Sequence, residues 1–277
     1  MGLLYAAFVS ETKPPSTSAA AKADAPPKPK RARPVVVEEL RTPFNTMSVV
    51  KTGERIDLDV EGATYATWHP DEVLTGYSWD ALSVACLLRH DGPPKSVLIL
   101  GMGGGTVARQ LQTFIPGVRV TGVEIDPGVV DVARRHMHMN ADVHVVDAYE
   151  FLRTSTEQFD AVIDDLFLTG ATDVVRSRVP EGETLALVRS RVAPGGVVVA
   201  NLITDMGEHS AVRARARAGF KAAFGQTRVV TPPRGLNEIL VGGDRVRPGS
   251  ALRVYAARLD NAVDRRWLES ITVAALG

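Results

Sequence analysis

A strand running straight into glycines and then into a helix constrains this chain more than any other feature. Val97-Leu98-Ile99-Leu100 is continuously apolar, the pattern of a strand buried on both faces. Gly101-Met102-Gly103-Gly104-Gly105 follows at once, and residues 106–114 have a helical pattern. Glycine lets the backbone turn sharply and lets a ligand come close to the main chain. The helix start adds unpaired N–H donors. Further strands are expected at residues 119–123, 143–146, 159–163 and 197–202. Helical patterns lie between them over 106–114, 129–138 and 181–192, and another follows over 211–224. Strands alternating with helices imply an α/β fold with a parallel, doubly wound sheet. Residues 227–230 and 238–241 are expected to close it as an antiparallel pair.

Upstream, residues 35–70 alternate in short apolar and polar runs, with Lys51-Thr52-Gly53-Glu54 as a turn. This predicts a small antiparallel β unit. A helix is expected over residues 72–90, stopped by Asp91-Gly92-Pro93-Pro94. Residues 11–34 are rich in Pro, Ala and Lys and hold no large apolar side chain. Such a stretch cannot bury enough surface to offset its ordering entropy. The expected organisation is therefore a tail or linker over 1–34, a β unit over 35–70 and a ligand-binding catalytic domain over 71–277.

Composition removes other classes. Lys plus Arg is 32 and Asp plus Glu is 32, so a basic nucleic-acid binder is not expected. No apolar run approaches the ~18–20 residues that span a membrane, and residues 1–9 lack the features of a secretory leader. The lone Cys86 lies in an apolar run and allows no internal disulfide. His136 and His138, two apart on a helix, share no face, so no metal site is expected. A cytoplasmic protein is the expectation.

Acidic residues recur where strands end. Glu124 closes the second strand, 23 residues after Gly101. A carboxylate there can accept from two ribose hydroxyls and repels a 2′-phosphate. Asp147 follows the third strand, where it can accept from an adenine amine while Ala148 offers its backbone N–H to the ring. Asp164 and Asp165 end the fourth, where a cofactor's charged end and a substrate should meet, by the rule that ligands bind at strand C-termini. Tyr77 and Trp79 open a helix near the expected crevice and are candidates for the site, with core packing as their other reading.

This series resembles the class I fold that binds S-adenosylmethionine, and more closely the spermidine synthase family, over roughly residues 42–245. The residues that carry the likeness are Gly101-Met102-Gly103-Gly104-Gly105-Thr106 and Val123-Glu124-Ile125-Asp126-Pro127. Upstream, Thr42-Pro43-Phe44-Asn45-Thr46-Met47-Ser48-Val49 is similar to the family's opening strand, and Asp71-Glu72 followed by Tyr77 to the entry of its first large helix. The resemblance implies a Rossmann-like class I methyltransferase sheet behind an N-terminal β unit. It implies cofactor contacts from Asn45, Gly101, Gly103, Gly105, Glu124, Ile125, Asp147, Ala148 and Asp165. It also implies a homodimer paired through the β unit. Two positions depart from the family. Gly104 stands where its glycine turn carries Asp, and Leu168 where its base for the attacking amine is Asp. A polyamine is multiply cationic and needs carboxylates. The departures therefore favour methyl transfer from S-adenosylmethionine to a small, partly apolar acceptor. Asp165, Asp164 and Tyr77 are the catalytic candidates, the carboxylates to hold the cofactor's amino group or take a substrate proton. The alternatives are aminopropyl transfer from decarboxylated S-adenosylmethionine and a non-catalytic nucleoside-binding partner.

Overall fold

The computed structural model describes residues 32–169, 174–204, 208–234, 236–257 and 259–277. Most of the expected tail, residues 1–31, lies outside the described residues. Four strands open the described chain: β1 (Val35–Arg41), β2 (Thr46–Thr52), β3 (Arg55–Val60) and β4 (Ala63–Trp68). They pair antiparallel in that order, as the alternation over 35–70 predicts. Met47, Val49, Leu58, Val60 and Ala66 form its buried face.

Helix α1 (Ser78–Ala85) comes next and runs into a short 3-10 turn over Cys86–Leu88. This is later than the helix expected from residue 72. The cause is Asp80, fully buried, whose carboxylate accepts from the Thr75 and Gly76 amides, the Thr75 hydroxyl and the Gln110 side chain. Those bonds hold residues 75–76 in a turn instead of a helix, and the helix starts beyond it.

The alternating portion follows as β5 (Ser96–Leu100), α2 (Thr106–Phe114), β6 (Arg119–Glu124), α3 (Pro127–His136), β7 (Asp142–Val145), α4 (Ala148–Thr154) and β8 (Phe159–Asp164). After β8 come a hairpin, β9 (Phe167–Thr169) and β10 (Val174–Arg176), then α5 (Gly182–Arg189), β11 (Val192–Ile203), α6 (Glu208–Ala223), β12 (Gln226–Thr231) and β13 (Asn237–Gly243). The chain ends with α7 (Arg253–Ala256), α8 (Ala262–Ser270) and β14 (Thr272–Ala275). The large sheet has the order β14-β12-β13-β11-β8-β5-β6-β7. The five strands from β11 to β7 are parallel, and β13, β12 and β14 are antiparallel. The expected terminal pair is thus a trio. Pro194-Gly195-Gly196 lies inside β11, where the register with β8 shifts between Val192 and Val197.

One apolar cluster joins α1, α2 and α8 to one face of this sheet, and another joins α4, α5 and α6 to the other. A third seats the N-terminal sheet on Val129 and Val132 of α3 and on Met137 just beyond it. Strand order reverses between β5 and β8, so a crevice opens outside their carboxyl ends. No helix among the described residues is long and apolar enough to cross a membrane.

Candidate active site

A cavity of about 710 Å³ fills that crevice, roofed by β4 and by the loops on either side of β9 and β10. Its floor is the glycine turn. Gly101 sits at φ +82°, and a Cβ there would meet the Asp165 carbonyl at 2.5 Å. The missing side chain therefore lets the segment after β8 lie against the turn. The Gly101 and Met102 amides both donate to the Val123 carbonyl. Gly103 donates to Glu124 Oε2 at 2.9 Å, and the Asp126 amide donates to Oε1 at 3.1 Å. Glu124 thus ties the turn to the end of β6, and burial raises its pKa. Asp147 caps α4 by accepting from the Tyr149 and Glu150 amides.

Of the expected site residues, Asn45, Gly101, Gly103, Glu124, Ile125, Asp147, Ala148 and Asp165 line the cavity. The amide of Asn45 is already engaged, donating to Asp126 Oδ2 at 2.8 Å. Gly105, Asp164 and Tyr77 are not among the lining residues. Gly105 is at φ +82° at the start of α2, and a Cβ there would meet Met139. Asp164 is 1% exposed and points away from the cavity, 2.5 Å from Nη2 of Arg176 in a buried ion pair. Side chains alternate along a strand. Asp164 thus follows Val162, which belongs to the cluster against α4 and α5, and Asp165 follows Ile163 on the cavity side. The Tyr77 hydroxyl accepts from Arg55 at 3.2 Å, and its ring leans on Trp79. Trp79, the other aromatic candidate, does line the cavity, together with Ser78.

Asp165 keeps some surface toward the cavity, but protein atoms crowd its carboxyl. Burial pushes its pKa up to about 6 and nearby Asp164 adds to the rise, against the opposing pull of Asn201 and Arg176. Asn201 donates its amide to Asp165 Oδ1 at 2.8 Å and accepts from Asn237 at 2.9 Å. Neither asparagine was among the expected site residues. The available signal was an amide in the otherwise apolar run of residues 197–203. An unpartnered buried amide is costly, so such a residue marks a polar partner across space.

The two departures are also placed. Leu168 is 52% exposed in the β9–β10 hairpin at the cavity wall. Gly104 has no room for a side chain, because a Cβ would lie 2.3 Å from Ala66 Cβ and 2.6 Å from Met137 Sδ. Gly104→Asp is therefore expected to lower folding stability by about 1–3 kcal/mol, read as a lower urea midpoint. A wild-type midpoint would show that Ala66 and Met137 yield freely.

Residues 82–232 match the family model described as the spermine/spermidine synthase domain. A "Probable polyamine aminopropyl transferase" of Bifidobacterium longum is 35% identical over 135 residues, covering 48% of this chain and 29% of that protein. The "Polyamine aminopropyltransferase" of Aeropyrum pernix is 29% identical over 180 residues, covering 61% and 55%. The chain therefore spans less than two thirds of the length of these curated relatives. A solved probable spermidine synthase from Corynebacterium glutamicum superposes with a TM-score of 0.68 at 18% identity, covering 81% of this chain and 87% of that one, a likeness of fold. These relatives overturn the expectation of methyl transfer, since they are named for aminopropyl transfer and the matched domain is that of the polyamine synthases. The inference from Gly104 and Leu168 failed because it counted absent carboxylates at two positions and not the charge of the whole cavity. With a family domain spanning more than half its length and the fold to match, this chain belongs to the spermine/spermidine synthase family.

Proposed function

We propose that the chain transfers the aminopropyl group of decarboxylated S-adenosylmethionine to a small-molecule amine. The charge of the cavity carries this reading. Its described lining residues include three carboxylates, Glu124, Asp147 and Asp165, and no Lys or Arg. The buried guanidinium of Arg176 is occupied by Asp164. Decarboxylated S-adenosylmethionine brings a sulfonium and a primary ammonium, both cationic. The parent compound adds a carboxylate, which would meet like charge here with no cation to neutralise it.

In this reading Glu124 accepts from the ribose hydroxyls, Asp147 and the Ala148 amide hold the adenine, and the glycine turn leaves room for the nucleoside. The acceptor arrives as an ammonium and must shed a proton before its nitrogen can attack. Leu168 has no group to take that proton, so it goes to the carboxylate of Asp165. The nitrogen then bonds to the aminopropyl carbon next to sulfur. The carbon–sulfur bond breaks with its electron pair staying on sulfur, and methylthioadenosine leaves. Catalysis is chiefly the in-line positioning of two bound reactants together with that proton transfer.

The test incubates the protein with decarboxylated S-adenosylmethionine and a panel of mono-, di- and triamines. The expected result is methylthioadenosine together with an acceptor heavier by one aminopropyl unit. Intact cofactor with every amine, at protein concentrations that saturate the cofactor, would contradict the reading.

A further inference from the structure

We infer that Asn201 and Asn237 form a two-amide relay whose task is to present an N–H to Asp165 and so position its carboxylate in the cavity. The inference deepens the aminopropyl reading and rests on it for the role of Asp165.

The relay is built by strand pairing. In the β11–β13 ladder Asn201 lies opposite Ile239, and Ile203 opposite Asn237. Asn201 and Asn237 are therefore diagonal neighbours on one face, within reach of each other. The preceding residues on that face of β11, Val197 and Val199, are buried core. Where the row leaves the core and enters the cavity, an asparagine replaces the valine. Asn201 is 4% exposed, so a side chain serving only to fill space there would be apolar.

Both ends of the Asn201 amide are used, and in one direction. Its Nδ2 donates to Asp165 Oδ1 at 2.8 Å, and its Oδ1 accepts from Asn237 Nδ2 at 2.9 Å. A rotated Asn201 amide would set its carbonyl against a carboxylate and its NH2 against another NH2. The Asp165 carboxylate only accepts, so it sets which end of the Asn201 amide it meets, and the Asn237 donor holds the amide in that orientation. The main chain is pinned as well, because Arg176 donates to the Asn201 carbonyl oxygen. The other charged groups acting on Asp165 are Arg176 from β10 and Asp164 from the end of β8, already paired with each other. Glu124 and Asp147 share the cavity walls. Asn237 also lines the cavity, at the start of β13. It is a positioning residue, acting on Asp165 through Asn201.

The test is a carboxyl-carbon NMR titration of Asp165 in the ligand-free full chain. Wild type is compared with Asn237→Leu, which keeps the shape without the donor, and with Asn237→Ser, which is too short to reach. Circular dichroism checks folding. The Asp165 midpoint is expected near the value of about 6 in wild type, and about one unit higher in both variants. The Asn201 side-chain amide resonance is expected to follow the same titration in wild type and to lose that dependence in the variants. Under turnover, the acidic limb of kcat/KM should move up with the NMR midpoint. A midpoint unchanged in a folded variant overturns the relay. So does a wild-type Asn201 amide that ignores the ionisation of Asp165, an outcome that needs no variant. The NMR readings use no substrate, so failure of the aminopropyl reading would appear only in the kinetic arm.

Discussion

Asp165→Asn is expected to lower kcat by ~10²–10⁴-fold, the usual worth of a positioned general base, while making the folded protein more stable at neutral pH. The variant keeps the shape and lets its carbonyl accept from Asn201 as the carboxylate does at 2.8 Å. It removes a group whose pKa stands at about 6 in the folded chain against an ordinary 3.8. The folded state then holds that proton more tightly than the unfolded state. The group's contribution to stability is most favourable below about pH 4 and declines as pH rises through about 6. At pH 7 its removal should return on the order of 1–3 kcal/mol, seen as a higher melting temperature. Activity follows the opposite sign. The base works when ionised, so wild-type kcat/KM, which reports the free enzyme, is expected to rise with pH through about 6 and then level. Stopped-time methylthioadenosine assays across pH, beside thermal unfolding of both proteins, check the two halves. A variant with near-wild-type kcat would remove Asp165 from the chemistry.

Glu124→Gln is expected to weaken nucleoside binding by about ten- to a hundredfold, since hydrogen bonds to a charged group contribute ~1.5–3 kcal/mol. The structure adds a second reason. Both carboxylate oxygens of Glu124 accept backbone N–H bonds, from Gly103 and Asp126. An amide can accept at one end only, so its NH2 would face a donor and loosen the glycine turn. Calorimetry with methylthioadenosine, which carries the ribose but no charged tail, isolates this effect from that of Asp165. Wild-type affinity in the variant would show that the nucleoside lies elsewhere.

What the sequence made legible follows from local chemistry. The glycine turn, the acidic residues after β6, β7 and β8, and the antiparallel alternation of residues 35–70 are each written within a few consecutive residues. What it hid depends on pairing at a distance. Asp164 and Asp165 are adjacent, and only the seating of Val162 and Ile163 in opposite clusters assigns one to Arg176 and the other to the cavity. Asn201 and Asn237 meet only because β11 and β13 pair in one register. Tyr77 stands outside the cavity that Trp79 lines because buried Asp80 gathers the turn before α1, a tie completed by Gln110 from a helix 30 residues away. The short β9–β10 hairpin and β14 have too few residues for a periodic signal, whereas α8 did carry one, the Asn261 cap with Val263, Trp267 and Leu268 at helical spacing, that went unread. The methyl-transfer expectation had the same root. Two missing carboxylates were visible in the sequence, whereas a cavity wall with no Lys or Arg among its described residues became visible only once the chain was folded.

The most direct measurement is calorimetric titration of the wild type with decarboxylated S-adenosylmethionine and with S-adenosylmethionine under identical conditions. The two ligands differ by one carboxylate, and the described cavity wall offers that carboxylate only Glu124, Asp147 and Asp165 as charged company. The decarboxylated compound is expected to bind at least ~10-fold more tightly, a difference of about 1.4 kcal/mol. Equal affinity, or tighter binding of S-adenosylmethionine, would contradict the assignment of this cavity to aminopropyl transfer.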